Sequence, residues 1–515
     1  MYKRNNESFL ERVFKEAENN PNHIIVKDKW RSWTWSDIIK TSYGFSKAIQ
    51  DNHSLSKKSM AIPLLVGRSG KVISAILGCL ISEKAFAPLS IKQPSFRIKK
   101  SMRLLNTSCI LPALDKSESI PDGLKPIEVF ENENFISSKT FPNNTKNKLL
   151  YVLFTSGSTG EPKGVLCSHL NIMNTILWSE HYLDWKKTDV IGCATQFSFD
   201  ISMFDIFSLM YHGIPMVIFP EPSNTKDVVK RVLNDNVTSI FSVPSFFSQF
   251  VTSDLIRELS TSRLRRIISG GDFFPPKHIL DWMKKTPQIS VYNVWGPTET
   301  SMVNTMHKIT ADDLPKLKGG KHPPIGKQHS MMSLILVDKT GKIISEPNVV
   351  GELVLSGASV SIGYLNDDKE MKRRYITKKN SPAFLTGDIG YFDEKENFYI
   401  SGRSDTIVKI SGHRIDLNEV ENVVLQHLDV SSSAAFVQSI QDEYKELWLV
   451  MELKESVSEI DIFSAKKLLR KILPQYMVPK RLFVLPSIPL NINRKVDRLR
   501  VKQIINESIS KKSLF

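Results

Sequence analysis

The sequence predicts an α/β protein in two parts, a large domain built on parallel-rich sheets and helices and a small α+β domain at the C-terminal end. Three observations carry this. Between residues 227 and 294, short apolar runs alternate with amphipathic helical stretches, the pattern of a parallel sheet with crossover helices. Beyond residue 405 the pattern changes to a capped helix and a long alternating hairpin. The chain also has 515 residues, 41% of them hydrophobic and 24% charged, enough to bury more than one core.

In chain order, residues 150–155 read as a strand feeding a Ser/Thr/Gly loop, and residues 227–236 as an amphipathic helix. A strand at 238–243, a helix at 245–252, a strand at 264–269, a helix at 276–285 and a strand at 289–294 follow. In open parallel sheets, ligands lie beyond the carboxyl ends of the strands. Two of these strands run into Gly270-Gly271-Asp272 and Trp295-Gly296-Pro297-Thr298-Glu299, so those loops should share a crevice. Residues 391–400 read as a hairpin with a polar turn, leading to Gly402-Arg403-Ser404-Asp405. Asp416 is placed to cap a helix carrying Leu417, Val420, Val423, Val424 and Leu428, and residues 434–453 alternate like a hairpin. The domain boundary is expected at Asp405, giving domains 1–404 and 405–515.

Composition and pattern exclude several classes. There is no repeat of solenoid period and no low-complexity tract. The apolar stretch from Val72 to Ile81 is closed by Ser82, Glu83 and Lys84, well short of the ~20 residues of a bilayer span, so no membrane association is expected. The first residues turn acidic and amphipathic instead of apolar, which predicts a cytoplasmic protein without a secretory leader. Cys79, Cys109, Cys167 and Cys193 are scattered without a CxxC pair, against a disulfide framework or zinc site. A net charge of +15 suits nucleotide phosphates, an acidic protein, nucleic acid or simply a solvated basic surface. No helix-turn-helix, RRM or zinc-finger pattern accompanies it, so no nucleic-acid partner is expected.

The strongest local signal is the loop Thr155-Ser156-Gly157-Ser158-Thr159-Gly160-Glu161-Pro162-Lys163-Gly164. Glycines permit close backbone approach, hydroxyls and amides donate to phosphate oxygens, and an ammonium offsets their charge. Read from its residues alone it is a phosphate cradle or a flexible turn. Pro162 before Lys163 rules out a Walker loop. Glu299 beside such a cradle is a magnesium ligand or a surface glutamate. Trp295 stacks on a base or fills core. Lys495, in a basic run near the end, is not marked by anything local. Gly357-Ala358-Ser359-Val360-Ser361 lacks the last glycine of a nucleophile elbow, and there is no HExxH helix.

Taken in order, Ala87-Pro88-Leu89, the loop from Thr155, Gly296-Pro297-Thr298-Glu299, Gly351-Glu352-Leu353, Thr386-Gly387-Asp388, Gly402-Arg403-Ser404-Asp405, residues 408–415 and the Lys495 segment resemble the adenylate-forming superfamily. That superfamily comprises acyl-CoA synthetases, luciferases and the amino-acid adenylation domains of nonribosomal peptide synthetases, and the resemblance spans nearly the whole chain. Phe199-Asp200-Ile201-Ser202 is similar to the FDxS segment of amino-acid adenylation domains. Residues 196–200 and 243–246 also resemble stand-alone D-alanine:carrier-protein ligases.

The resemblance implies a stand-alone amino acid:carrier-protein ligase that uses ATP and Mg²⁺. Thr155, Ser156, Gly157, Ser158, Thr159, Gly160 and Lys163 would hold the β- and γ-phosphates, Thr298 the α-phosphate and Glu299 the magnesium. Gly270, Gly271, Asp272 and Val294 would line the nucleotide site. Asn293 would meet the adenine amino group, Trp295 would stack on the ring, and Asp388 and Arg403 would bind the ribose. Lys495 would bridge the substrate carboxylate and α-phosphate, stabilising charge in the transition state. In a second half-reaction a phosphopantetheine thiol of a separate carrier protein would attack the adenylate, after the mobile small domain swings about Asp405 and brings Gly412 to the thiol tunnel. Asp200 would pair with the substrate ammonium. Ile201, Phe204, Phe241, Ile268, Gly270, Val294, Met302 and Val303 would line the side-chain pocket, an apolar set that suits a small or branched aliphatic amino acid.

The chain departs from the family pattern at Asn491 and Arg494, where Thr and Gly are usual, and at Asp272, where Glu is frequent. The alternatives are an acyl- or aryl-CoA ligase, which has no use for Asp200, and an inactive ATP-binding or carrier-docking module.

Overall fold

The computed structural model describes residues 9–53, 55, 57, 59–115, 118–129, 148–155, 162–220, 222–378, 381–403, 406–441, 444–454, 456–489 and 496–512. Its internal contacts group the chain into two compact units. One comprises Met1–Ile91, Ser101–Phe154 and Lys163–Ser404, and the other Lys92–Lys100, Thr155–Pro162 and Asp405–Phe515.

Among the described residues of the first unit there are three sheets. The eight-stranded sheet runs Thr305–Lys308, Ser290–Trp295, Arg266–Gly270, Ser239–Ser242, Ile191–Cys193, Met216–Ile218, Ile24–Lys27 and Ser32–Thr34. Its six inner strands are parallel and an antiparallel strand closes each edge. The predicted alternation lies here, with strands and helices within two residues of their expected limits. Proline at the start of the helices Pro244–Thr252 and Pro276–Lys285 explains their sharp onset, since its missing N–H costs nothing in the first turn.

A seven-stranded sheet holds Ile62–Val66, Phe86–Ser90 and Leu149–Thr155 at its centre. All five residues of Ile62–Val66 and of Phe86–Ser90 are buried, the run expected of a parallel strand covered on both faces. The apolar stretch from Val72 is the helix Lys71–Ile81, with residues 72 to 80 buried. It is apolar all round because it is enclosed all round. No helix among the described residues is long and apolar enough to cross a membrane. Cys79, Cys167 and Cys193 are buried free thiols, and burial pushes the last two up to about 12.

The third sheet, of six strands, is antiparallel and adds to the parallel architecture the sequence predicts. Met332–Val337, Gly351–Gly357 and Ser381–Phe392 form its centre, and Phe398–Arg403 pairs with the last of these to make the predicted hairpin.

In the second unit, Asp416 accepts from the Asn418 amide at 3.0 Å and caps the helix Leu417–His427. The hairpin Val430–Gln441 with Tyr444–Leu453 is extended by the parallel strand Arg481–Val484. Arg498, opening the helix Arg498–Lys512, donates to both carboxylate oxygens of Glu421 at 2.8 Å and so fastens that helix to the unit's core. Ile407–Ile410 and His413–Asp416 form a tight hairpin. Its turn residues, Ser411 and Gly412, have φ of 50° and 78°, the pair of positive angles that a two-residue turn matched to strand twist requires.

Candidate functional site

The two loops expected to share a crevice leave adjacent parallel strands at one edge of the eight-stranded sheet, where Gly270 stands opposite Val294. A Cβ on Gly270 would lie 2.6 Å from Val294 Cγ2 and 3.1 Å from the Val294 carbonyl oxygen, so only glycine lets the strands end this closely. Gly271 follows with φ of 91°, and the Asp272 carboxylate turns back to accept from the Phe273 amide at 2.8 Å.

Behind this edge the predicted pocket residues Ile201, Phe204, Phe241, Ile268, Val294, Met302 and Val303 are all buried in one apolar cluster. Phe204 and Phe241 meet edge to face with ring centres 5.4 Å apart. Ser301 and Met302 have φ of 62° and 65°, two successive side-chain-bearing residues in the left-handed region. Such angles cost roughly 1–3 kcal/mol each and persist only where the surroundings enforce them. Here the Met302 amide donates to the Pro297 carbonyl at 3.2 Å and the Asn304 amide to the Trp295 carbonyl at 2.8 Å, and Gly296, where a Cβ would come within 2.5 Å of the Met302 carbonyl oxygen, permits the close approach.

The acid Asp200 stands at the first turn of the helix Asp200–His212. One of its oxygens accepts from the Ile201 amide at 2.8 Å, and the other from the Thr298 hydroxyl at 2.5 Å. The next residue, Glu299, is fully buried in the short turn Thr298–Thr300 and accepts from the Tyr364 hydroxyl at 2.6 Å. Tyr364 lies on the strand Gly363–Leu365, which pairs with Lys163–Ser168. Sequence reasoning passed over it, because nothing local distinguishes it; its place depends on that strand pairing.

The third group surrounds Asp388. The Trp295 indole N–H donates to one carboxylate oxygen at 2.8 Å and the Arg403 guanidinium donates to the other, with the acid 3% exposed. A carboxylate offers about four lone-pair directions, so Asp388 keeps acceptor capacity beyond these two donors. The motifs around it interlock. The Gly387 amide donates to Glu352 at 2.8 Å, and the Thr386 hydroxyl to the Leu353 carbonyl at 2.8 Å. Asn293 donates its side-chain amide to the Pro324 carbonyl at 2.9 Å, which orients its own carbonyl oxygen as an acceptor.

Thr155 ends the strand Leu149–Thr155. Lys163 begins the next strand with its ammonium 3.3 Å from Glu370 and 3.9 Å from Asp367, acids the sequence did not single out. Ser156, Gly157, Ser158, Thr159, Gly160, Asp405 and Lys495 lie outside the described residues. Gly412 belongs to the second unit. No group of three or more His, Cys, Asp and Glu suited to a metal occurs among the described residues. The buried carboxylate of Glu299 fits magnesium, which takes one or two carboxylates and completes its shell with substrate phosphates and water.

The family model described as AMP-binding enzyme matches residues 13–365. The chain belongs to that family. The family match contains Asp200, Thr298 and Glu299, whereas Asp388 and Arg403 lie beyond it. The chain is 30% identical over 499 residues to a plipastatin synthase of Bacillus subtilis, a match covering 94% of this chain but only 13% of that protein. It is 27% identical over 513 residues to the D-alanine–D-alanyl carrier protein ligase of Bacillus licheniformis, covering 96% of this chain and 99% of that one. The Vibrio cholerae adenylation domain AlmE, solved with glycyl-adenosine-5′-phosphate, superposes with a TM-score of 0.83 at 20% identity, covering 98% of this chain and 99% of that one. At that identity the superposition establishes a shared adenylation-domain fold.

Proposed function

We propose that this AMP-binding ligase activates a small or branched aliphatic amino acid with Mg–ATP and passes the aminoacyl group to the phosphopantetheine thiol of a separate carrier protein. The observation that carries this reading is Asp200, a half-buried carboxylate in the first turn of the helix that carries Ile201 and Phe204 into the apolar cluster. A substrate bearing an α-ammonium beside an aliphatic side chain complements both features. A plain fatty or aryl acid would bring that carboxylate no positive charge. The likeness to the D-alanine–D-alanyl carrier protein ligase over nearly its whole length supports a free-standing enzyme of this type.

In the first half-reaction an oxygen of the substrate carboxylate attacks the α-phosphorus of ATP and pyrophosphate departs with the β- and γ-phosphates. Thr298 donates to the α-phosphate, Thr155, the loop after it and Lys163 hold the departing phosphates, and Lys495 neutralises the charge gathering between carboxylate and phosphate. Asn293 accepts from the adenine amino group, Trp295 lies against the ring, and Asp388 and Arg403 engage the ribose. Bound magnesium, held by Glu299, supplies charge neutralisation at the phosphates. In the second half-reaction the carrier thiol attacks the adenylate carbonyl and AMP leaves. Asp405 serves as the hinge between domains 1–404 and 405–515, and Gly412 approaches the thiol path.

The reading is tested by amino-acid-dependent ATP–pyrophosphate exchange with L-, D- and β-amino acids and short acids, alongside Lys495→Ala and Asp200→Ala. Exchange with a small aliphatic amino acid, lost in both variants, is expected. Exchange confined to acids without an amino group would overturn it.

A further inference from the structure

We infer that Thr298 makes nucleotide binding conditional on the substrate's amino group, through its hydrogen bond to Asp200. This rests on the proposed reading and adds to it a specificity step. The Thr298 hydroxyl points at Asp200 with an oxygen–oxygen distance of 2.5 Å. A threonine hydroxyl has one hydrogen, and an ionised phosphate oxygen only accepts. The same proton therefore cannot serve Asp200 and the α-phosphate together.

Two things are required to release it. The hydroxyl must turn away, and the carboxylate must give up that hydrogen bond, which is costly for a partly buried charged acceptor unless a new donor replaces it. An incoming α-ammonium brings three N–H donors and a positive charge, and so replaces the hydroxyl on Asp200. An acid of the same shape without the amino group brings neither.

The surrounding backbone confines the response to a side-chain rotation. Asp200 is fixed by the Ile201 amide at the start of its helix, and Thr298 lies in a turn closed by the Thr300 amide on the Pro297 carbonyl at 3.0 Å. The same turn is tied again by the Met302 amide on the Pro297 carbonyl at 3.2 Å and the Asn304 amide on the Trp295 carbonyl at 2.8 Å. The amino acid and the α-phosphate thus communicate through one hydroxyl proton.

The test measures binding of α,β-methylene-ATP to the whole protein by calorimetry, with and without the amino acid that gives the strongest exchange and its analogue lacking the amino group. Valine and 3-methylbutanoate are the first pair. Coupling through shared groups typically spans roughly five- to a hundredfold. The amino acid should tighten the nucleotide by a factor in that range and the deaminated acid should not. Thr298→Ser should retain the coupling, and Thr298→Val, of like shape but without the hydroxyl, should lose it. Equal tightening by the deaminated acid, or coupling that survives in Thr298→Val, would overturn the inference. Amino-acid-dependent exchange without any coupling in the wild type would sink it while leaving the proposed function standing. Absence of exchange with every amino acid would sink both.

Discussion

Replacing Tyr364 by Phe isolates one hydrogen bond in the candidate site. The hydroxyl donates at 2.6 Å to Glu299, which is fully buried. The ring itself should stay in place, since it meets Tyr375 edge to face at 5.4 Å and its strand is held by backbone pairing to Lys163–Ser168. The loss is then confined to a hydrogen bond on a charged acceptor, about 1.5–3 kcal/mol. Urea unfolding followed by tryptophan fluorescence should show a destabilisation of that size. Repeating it on a Glu299→Gln background, where the acceptor is neutral, should reduce the cost to about 0.5–1.5 kcal/mol. With Glu299 as the magnesium ligand, Tyr364→Phe should also raise the Mg²⁺ concentration needed for half-maximal exchange. A stability within about 0.5 kcal/mol of the wild type would refute the reasoning, as would an equal loss on the Gln background.

Three further outcomes are expected. Trp295→Phe keeps an aromatic face but removes the donor to Asp388, so the KM for ATP should rise roughly tenfold while 3′-deoxy-ATP suffers less; equal losses for both nucleotides would argue against an orienting role. Gly270→Ala places a methyl 2.6 Å from Val294 Cγ2 and 3.5 Å from Phe241. It should cost about 1–3 kcal/mol of stability and shift exchange toward smaller amino acids, an idea that an unchanged substrate profile would contradict. His169 and His413 are held neutral by burial, which lowers both to about 4. Their unfolded values lie near 6.5, so the unfolded chain binds more protons between these limits. The stability they permit is complete above about pH 6.5 and falls as pH drops toward 4, by at most about 1.4 kcal/mol per unit per histidine. Urea midpoints that do not change from pH 7 to 5 would count against this.

Much of the large unit was legible because its signals are local. The alternation from residue 227 to 294 is written in short apolar runs, and Pro276 and Asp416 mark helix starts by chemistry that needs no distant partner. The loops after Gly270 and Trp295 could be placed in one crevice because parallel strands must all end on the same side. Of the antiparallel sheet only the hairpin at residues 391–400 was legible, and its shortest strand was not, for the opposite reason. Ile343–Ile344 has two residues, too few to show a period, and the same holds for the three of Gly363–Leu365 in the seven-stranded sheet; their identity as strands depends on the neighbours they pair with.

The same division runs through the site. By itself the sequence determined which residue types could meet a nucleotide and an amino acid, because a Gly-rich hydroxyl loop, an acid after an aromatic and a Gly-Pro-Thr-Glu turn are contiguous chemistry. Only the tertiary structure decided which partner each one takes. Thr298 finds Asp200 across 98 residues, Glu299 finds Tyr364 across 65, and Trp295 finds Asp388 across 93. A hydrogen bond depends on distances of a few tenths of an ångström, and across such separations those distances are set by strand register and sheet packing, which no local run of residues specifies.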